Sequence, residues 1–97
     1  MPSVAEMTET AELNGIDVTV RYFAAAEAAA GIETETLRVP RDTTVAGLVE
    51  LLGSSRAELA KVLTRCSFLC DGVAVRDRDA HVSAHQTIDV LPPFAGG

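Results

Sequence analysis

Ile16-Asp17-Val18-Thr19-Val20-Arg21-Tyr22-Phe23 is the stretch on which the fold turns. Ile16, Val18, Val20 and Tyr22 fall on one side of the chain, and Asp17, Thr19, Arg21 and Phe23 on the other. That period of two predicts a half-buried strand, because successive side chains of a strand point to opposite faces. Downstream, residues 24–31 read as an Ala-rich turn of helix closed by Gly31. A second strand follows at residues 33–39, with Thr34, Thr36 and Arg38 alternating against Glu35, Leu37 and Val39. Pro40 is expected to end it, since proline has no N–H for the ladder. The short connections suit a hairpin. Upstream, residues 1–14 hold Glu6, Glu9 and Glu12 among Ser, Thr and Ala with no sustained apolar period, and read as a disordered acidic extension.

Beyond the hairpin the period changes. Thr43 or Thr44 suits the N-cap of a helix, because its hydroxyl accepts a backbone N–H left free at the first turn. Val45, Leu48, Val49 and Leu52 then recur at i, i+3, i+4 and i+7, one face of an amphipathic helix. Gly53-Ser54-Ser55 is expected to interrupt it, and Ser55 to cap a second helix carrying Leu59 and Val62 or Leu63 and ending near Arg65. Both helices are expected on one sheet face. Residues 66–70 read as a strand that turns at Asp71-Gly72, a strong hairpin signal, into residues 73–75. Residues 76–86 are polar and read as a loop, and residues 87–91 alternate again as a last strand stopped by Pro92-Pro93.

A hairpin, a crossing helix and further strands make an α+β domain with a mixed sheet packed on one main helix. That is the order of the β-grasp or ubiquitin-like fold, whose first and last strands pair in parallel at the sheet centre. The expected organisation is an extension over 1–14, a β-grasp domain over 15–91 and a flexible Gly-Gly tail over 92–97.

Composition narrows the function. Ninety-seven residues with 47% hydrophobic and 23% charged side chains suit one soluble domain. Aromatics are 4% and Trp is absent, so the core must be aliphatic, with Tyr22, Phe23, Phe68 and Phe94 as the candidates for its large pieces. A net charge of −6 with eight scattered basic residues argues against nucleic acid and anionic membranes, and favours a protein partner with a positive face. No apolar run approaches the roughly 20 residues that span a bilayer, and a cytoplasmic location is expected. In a strand, Cys66 and Cys70 stand about 13 Å apart, beyond the Cα limit of about 7 Å for a disulfide. Reduced thiols follow.

The tail Leu91-Pro92-Pro93-Phe94-Ala95-Gly96-Gly97 is the candidate for chemistry. Prolines favour an extended path away from the sheet. Six residues beyond Leu91 reach about 20 Å when extended, and two glycines can enter a channel closed to anything larger. The Gly97 carboxylate, with a reference pKa of about 3.3–3.7, is ionised at neutral pH and is a poor electrophile. An ATP-using partner would have to convert it to an acyl adenylate. A sulfur donor would then give a thiocarboxylate, and an amine an amide. The tail is a substrate, with catalysis supplied elsewhere.

Val20-Arg21-Tyr22-Phe23-Ala24 with Gly31 after the Ala-rich turn, Thr43-Thr44-Val45-Ala46-Gly47-Leu48 at the helix start, and the tail over 91–97 together resemble the small, sulfur-carrying subunit of molybdopterin synthase. The resemblance covers roughly residues 16–97. It implies a ubiquitin-like fold in which Gly97 is adenylated by an E1-like adenylyltransferase and becomes a thiocarboxylate with the help of a sulfur donor enzyme. It further implies that Pro92, Pro93, Phe94, Ala95 and Gly96 guide the tail into a large catalytic subunit, which builds the dithiolene on cyclic pyranopterin monophosphate in a heterotetramer. No cofactor would be bound by this chain, and the ATP would be the activating partner's. Phe94 stands where the family commonly has an aliphatic residue, and Glu27-Ala28 where it often has Arg-Glu.

The remaining reactive side chains have bland readings. Two cysteines do not make a structural zinc site or an iron–sulfur cluster, so Cys66 and Cys70 are expected to pack. His81 and His85 lie among Asp and Ser in the loop and are expected to be solvated. Asp77 and Asp79 lack a paired base or nucleophile. An apolar sheet face left open by the helices would be a docking surface. Three alternatives stay open: a carrier for thiamine or cysteine synthesis, a modifier conjugated to lysine through Gly97, and an adaptor with an inert tail.

Overall fold

The computed structural model describes residues 15–93. The extension expected over 1–14 and the tail residues Phe94, Ala95, Gly96 and Gly97 lie outside the described residues.

The alternating stretch forms β1 (Gly15–Tyr22), followed by helix α1 (Ala24–Ala30) and strand β2 (Thr34–Pro40). Helices α2 (Val45–Ser54) and α3 (Ala57–Leu63) lead to β3 (Ser67–Cys70), β4 (Val73–Ala74) and β5 (Thr87–Leu91). The sheet order is β2-β1-β5-β3-β4, with β1 and β5 parallel and the other pairs antiparallel. This is the mixed β-grasp sheet expected from the order of elements.

Register explains which side is buried. Ile16, Val18, Val20 and Tyr22 of β1 stand level with Val39, Leu37, Ile88 and Val90 of the neighbouring strands. All but the half-buried Leu37 join one cluster with Leu48 and Leu52 of α2, Leu59 and Leu63 of α3, and Ala26 and Ala30 of α1. The helix residues that fill this cluster are those of the 3.6-residue period, so α2 and α3 cover one face of the sheet as expected. Phe23 is not part of it: β1 stops at Tyr22, and Phe23 is 39% exposed.

Several boundaries differ from the sequence expectation for local reasons. Pro40 is the last residue of β2 rather than the residue after it, and is tolerated because β2 is a sheet edge. Thr44 is the cap of α2; its Oγ1 accepts the Gly47 N–H at 3.0 Å. Gly53 and Ser54 do not interrupt α2. A Cβ built at Gly53 would stand 3.1 Å from Ala60 Cβ and 3.3 Å from Ala60 Cα, so this glycine allows α2 and α3 to approach closely. Ser55 therefore closes α2, and Arg56 takes the N-cap place of α3 without a side-chain cap bond. Helix α3 ends at Leu63, and Cys66 belongs to the turn after it, its N–H donating to the Leu63 carbonyl. The Asp71-Gly72 turn forms as expected, with φ of 49° and 83°, the left-handed pair that a two-residue hairpin needs. It leads into a strand one residue shorter than expected.

The polar loop over 76–86 is tied down. The first free N–H groups of α2 donate into it, Val45 to the Ala80 carbonyl and Ala46 to the Arg78 carbonyl, while Val82 N–H returns a bond to Thr43. Val82 is itself buried in the core.

Candidate functional site

The chemistry expected of this chain lies where β5 ends. β5 is the central strand, flanked by β1 in parallel and β3 antiparallel. Its last residues are held on both sides: Val90 stands opposite Tyr22 and Phe68, and Leu91 opposite Ser67. The Phe23 N–H also donates to the Val90 carbonyl at 3.2 Å. The backbone is thus fixed up to Leu91, and Pro92 and Pro93, which have no N–H to extend the ladder, take it out of the sheet. Pro92 is half-buried and Pro93 exposed. Of the expected tail residues, these two are the ones the structure places; Phe94, Ala95, Gly96 and Gly97 follow them outside the described region.

Two surfaces meet at this exit. On the helix side, Ala25 of α1, Lys61 and Val62 of α3, Arg65 and the two prolines line a groove of about 210 Å³. On the open side of the sheet, Asp89 of β5 faces Arg21 of β1 at the same register level. The pair is bidentate, Arg21 Nε donating to Asp89 Oδ1 at 2.6 Å and Nη2 to Oδ2 at 2.9 Å. Asp89 is 5% exposed, and the guanidinium satisfies it. The bond to Asp89 in turn holds the Arg21 pKa above its ordinary value. Arg21 also lies over the Phe23 ring, 5.7 Å from its centroid. The open face is otherwise mostly polar, with Thr19 and Thr36 opposite one another and Arg38 paired to Asp17. It is not the apolar docking face that an uncovered sheet side offers.

A second polar cluster joins the end of β1 to the edge strand β2. The Tyr22 hydroxyl donates to Glu35 Oε2 at 2.5 Å, and Arg56 Nη1 donates to the same oxygen at 3.2 Å. Burial, and then the Glu35 carboxylate, push the Tyr22 pKa up. The cluster ties β1, β2 and the start of α3 together. Neither it nor the Arg21–Asp89 pair was visible in the sequence, because both depend on strand register. The one trace was Asp89 itself, a charge inside an apolar five-residue strand.

The other reactive residues stay apart. Cys66 is buried, its thiol donating to the Val62 carbonyl at 3.3 Å, and Cys70 is half-buried. Burial raises both thiol pKa values, so neither is poised as a thiolate. His81 and His85 are exposed, as expected, and Asp77 Oδ1 accepts the Asp79 N–H in a local turn. Among the described residues no group of three or more His, Cys, Asp or Glu is placed to hold a metal ion. Among them, too, no helix is long and apolar enough to cross a membrane.

The ThiS family model matches residues 20–97, from near the end of β1 through Gly97. The chain belongs to the ThiS family. The ThiS family is one of ubiquitin-like small sulfur carrier proteins, which are non-catalytic themselves. Solved structures agree on the fold. The HVO 2177 protein of Haloferax volcanii is 26% identical, with 87% of this chain and 89% of that chain covered and a TM-score of 0.77. Small archaeal modifier protein 1 of H. volcanii is 22% identical over 82% of this chain and 100% of its own, with a TM-score of 0.72. A chain of the complex of subunits 1 and 2 of molybdopterin-converting factor from Helicobacter pylori is 18% identical over 84% of this chain and 100% of its own, with a TM-score of 0.65. A search of curated protein sequences finds no match.

Proposed function

We propose that this chain is the sulfur-carrying subunit of a molybdopterin synthase. The observation that carries the proposal is the reach of the family match: it runs through Gly97 on a fold whose central strand leads directly into Pro92-Pro93. An E1-like partner adenylates the Gly97 carboxylate at the expense of ATP, with pyrophosphate leaving. Sulfide-level sulfur delivered by a sulfur donor enzyme then attacks the acyl carbon, forming the C–S bond as the C–O bond to AMP breaks, and leaves the thiocarboxylate. Pro92, Pro93, Phe94, Ala95 and Gly96 guide the tail into the large catalytic subunit, where the sulfur passes to cyclic pyranopterin monophosphate. The domain contributes a fixed point of exit and a recognition surface, and the carrier itself catalyses nothing. The H. pylori structure, a complex of two converting-factor subunits, supports a larger partner of that kind. The Pro-Pro step before the glycines favours molybdopterin over thiamine or cysteine synthesis as the destination of the sulfur.

The test is reconstitution. Thiocarboxylated chain, the large subunit and cyclic pyranopterin monophosphate are expected to yield molybdopterin, with two carrier thiocarboxylates consumed for each dithiolene. Absence of product in a mixture that works with an authentic small subunit would overturn the molybdopterin assignment. Lysine-linked adducts of the chain in cell extract would point to a modifier instead.

A further inference from the structure

The groove beside the β5 exit has a composition unlike the rest of the molecule. The chain carries a net charge of −6, yet both charged residues lining this groove, Lys61 and Arg65, are basic. Lys61 is weakly engaged, 3.5 Å from Glu58 with both side chains about three-quarters exposed. Arg65 makes no side-chain hydrogen bond or ion pair within the described residues. Between the two cations the floor is apolar, formed by Ala25, Val62 and the prolines. At about 210 Å³ the groove is smaller than the roughly 300–1,000 Å³ of a small-molecule site. It suits a single large side chain with an anionic neighbour.

Such a segment begins at its wall. Pro92 and Pro93 line the groove, and the next residues are Phe94, Ala95, Gly96 and Gly97. These four contain one large apolar side chain and, at Gly97, the carboxylate that the proposed function puts to work. Four residues reach about 13 Å when extended, enough to return along the same groove. We infer that the groove is a parking site for the chain's own tail, with the Phe94 ring against Ala25 and Val62 and the Gly97 carboxylate between Lys61 and Arg65. A parked tail is withheld from solvent. A partner that takes only the released tail then binds with a dissociation constant raised by the inverse of the released fraction. The carboxylate half of this inference rests on the proposed role of Gly97, whereas the Phe94 half stands without it.

NMR on the isotopically labelled full chain tests both halves. Expected are nuclear Overhauser contacts from the Phe94 ring to the Ala25 and Val62 methyl groups, and a Gly97 amide order parameter above about 0.6, the upper edge of flexible backbone. The double variant K61E/R65E is expected to drop Gly97 below that value, and F94A to do the same. Missing Phe94 contacts, together with a Gly97 amide indifferent to K61E/R65E, would overturn the inference. So would contacts that disappear on dilution, which would assign the groove to a second copy of the chain. Enzymatic charging of Gly97 is measured separately and reports on the proposed function whether or not the tail parks.

Discussion

Replacing Tyr22 by Phe separates one hydroxyl from everything else the residue does. The ring is 1% exposed and stays in the core, while the bond from its hydroxyl to Glu35 Oε2 at 2.5 Å is lost. A hydrogen bond to a charged group contributes about 1.5–3 kcal/mol. Glu35 keeps Arg56 at 3.2 Å, so the lower part of that range, about 1.5–2 kcal/mol, is expected at pH 7. With a urea slope near 1 kcal/mol/M for a domain this small, the midpoint falls by about 1.5–2 M. The same residue sets an alkaline limb. Its pKa is raised in the folded chain, by burial first and then by Glu35, while the unfolded phenol ionises near its ordinary value of about 10. Above that value the unfolded state releases a proton that the folded state keeps. The Tyr22 contribution is therefore whole below about pH 10 and is lost as the pH rises, up to about 1.4 kcal/mol by pH 11. Y22F has no such group, so the gap between the two proteins should close over this window. Cys66 and Cys70, whose thiols burial pushes up, are the same in both proteins and cancel in the comparison. Urea unfolding followed by far-UV circular dichroism at pH 7 and pH 11 measures it. A Y22F protein as stable as the parent at pH 7, or a gap that stays constant to pH 11, would refute the reasoning.

Thr44→Ala removes the cap that satisfies Gly47 N–H and should lower stability by about 1 kcal/mol, with Thr44→Ser close to the parent in thermal melts. Gly53→Ala gains up to about 1 kcal/mol of helix propensity. It also meets Ala60 Cβ at 3.1 Å and backbone at 3.3 Å, and overpacking costs about 1–3 kcal/mol; a net loss in urea midpoint is expected, and a gain would show that α2 and α3 slide apart freely. Both thiols should alkylate slowly in the folded protein at pH 7, because burial keeps them protonated, and faster only as the pH passes above the ordinary thiol range. Mass spectrometry of iodoacetamide-treated protein follows each site, and rapid labelling of Cys66 at pH 7 would contradict its burial.

Much of the fold was legible because its signals are local. The two-residue period of β1, the 3.6-residue period of α2 and the Asp71-Gly72 turn each specify their own backbone, and the order of elements then leaves few topologies. The errors arose where a residue answers to a distant neighbour. Gly53 reads as a helix breaker in sequence but serves a close approach by Ala60. Phe23 reads as the last core residue of a strand, yet the chain turns into α1 there and leaves it 39% exposed. The exit of the tail was legible from Pro92-Pro93 after an alternating strand. The Arg21–Asp89 pair, the Tyr22–Glu35–Arg56 cluster and the groove joining Ala25 to Arg65 were not, since each is assembled across separations that only the register and helix packing determine.

The central claim is that Gly97 is charged with sulfur by partner enzymes. Intact-mass measurement after incubation with ATP, an E1-like adenylyltransferase and a sulfur donor enzyme tests it most directly. The expected result is a mass gain equal to replacing one oxygen by sulfur, located at Gly97 and absent from a chain lacking that residue whose circular dichroism is unchanged. An unchanged mass under conditions that charge an authentic carrier would contradict the account.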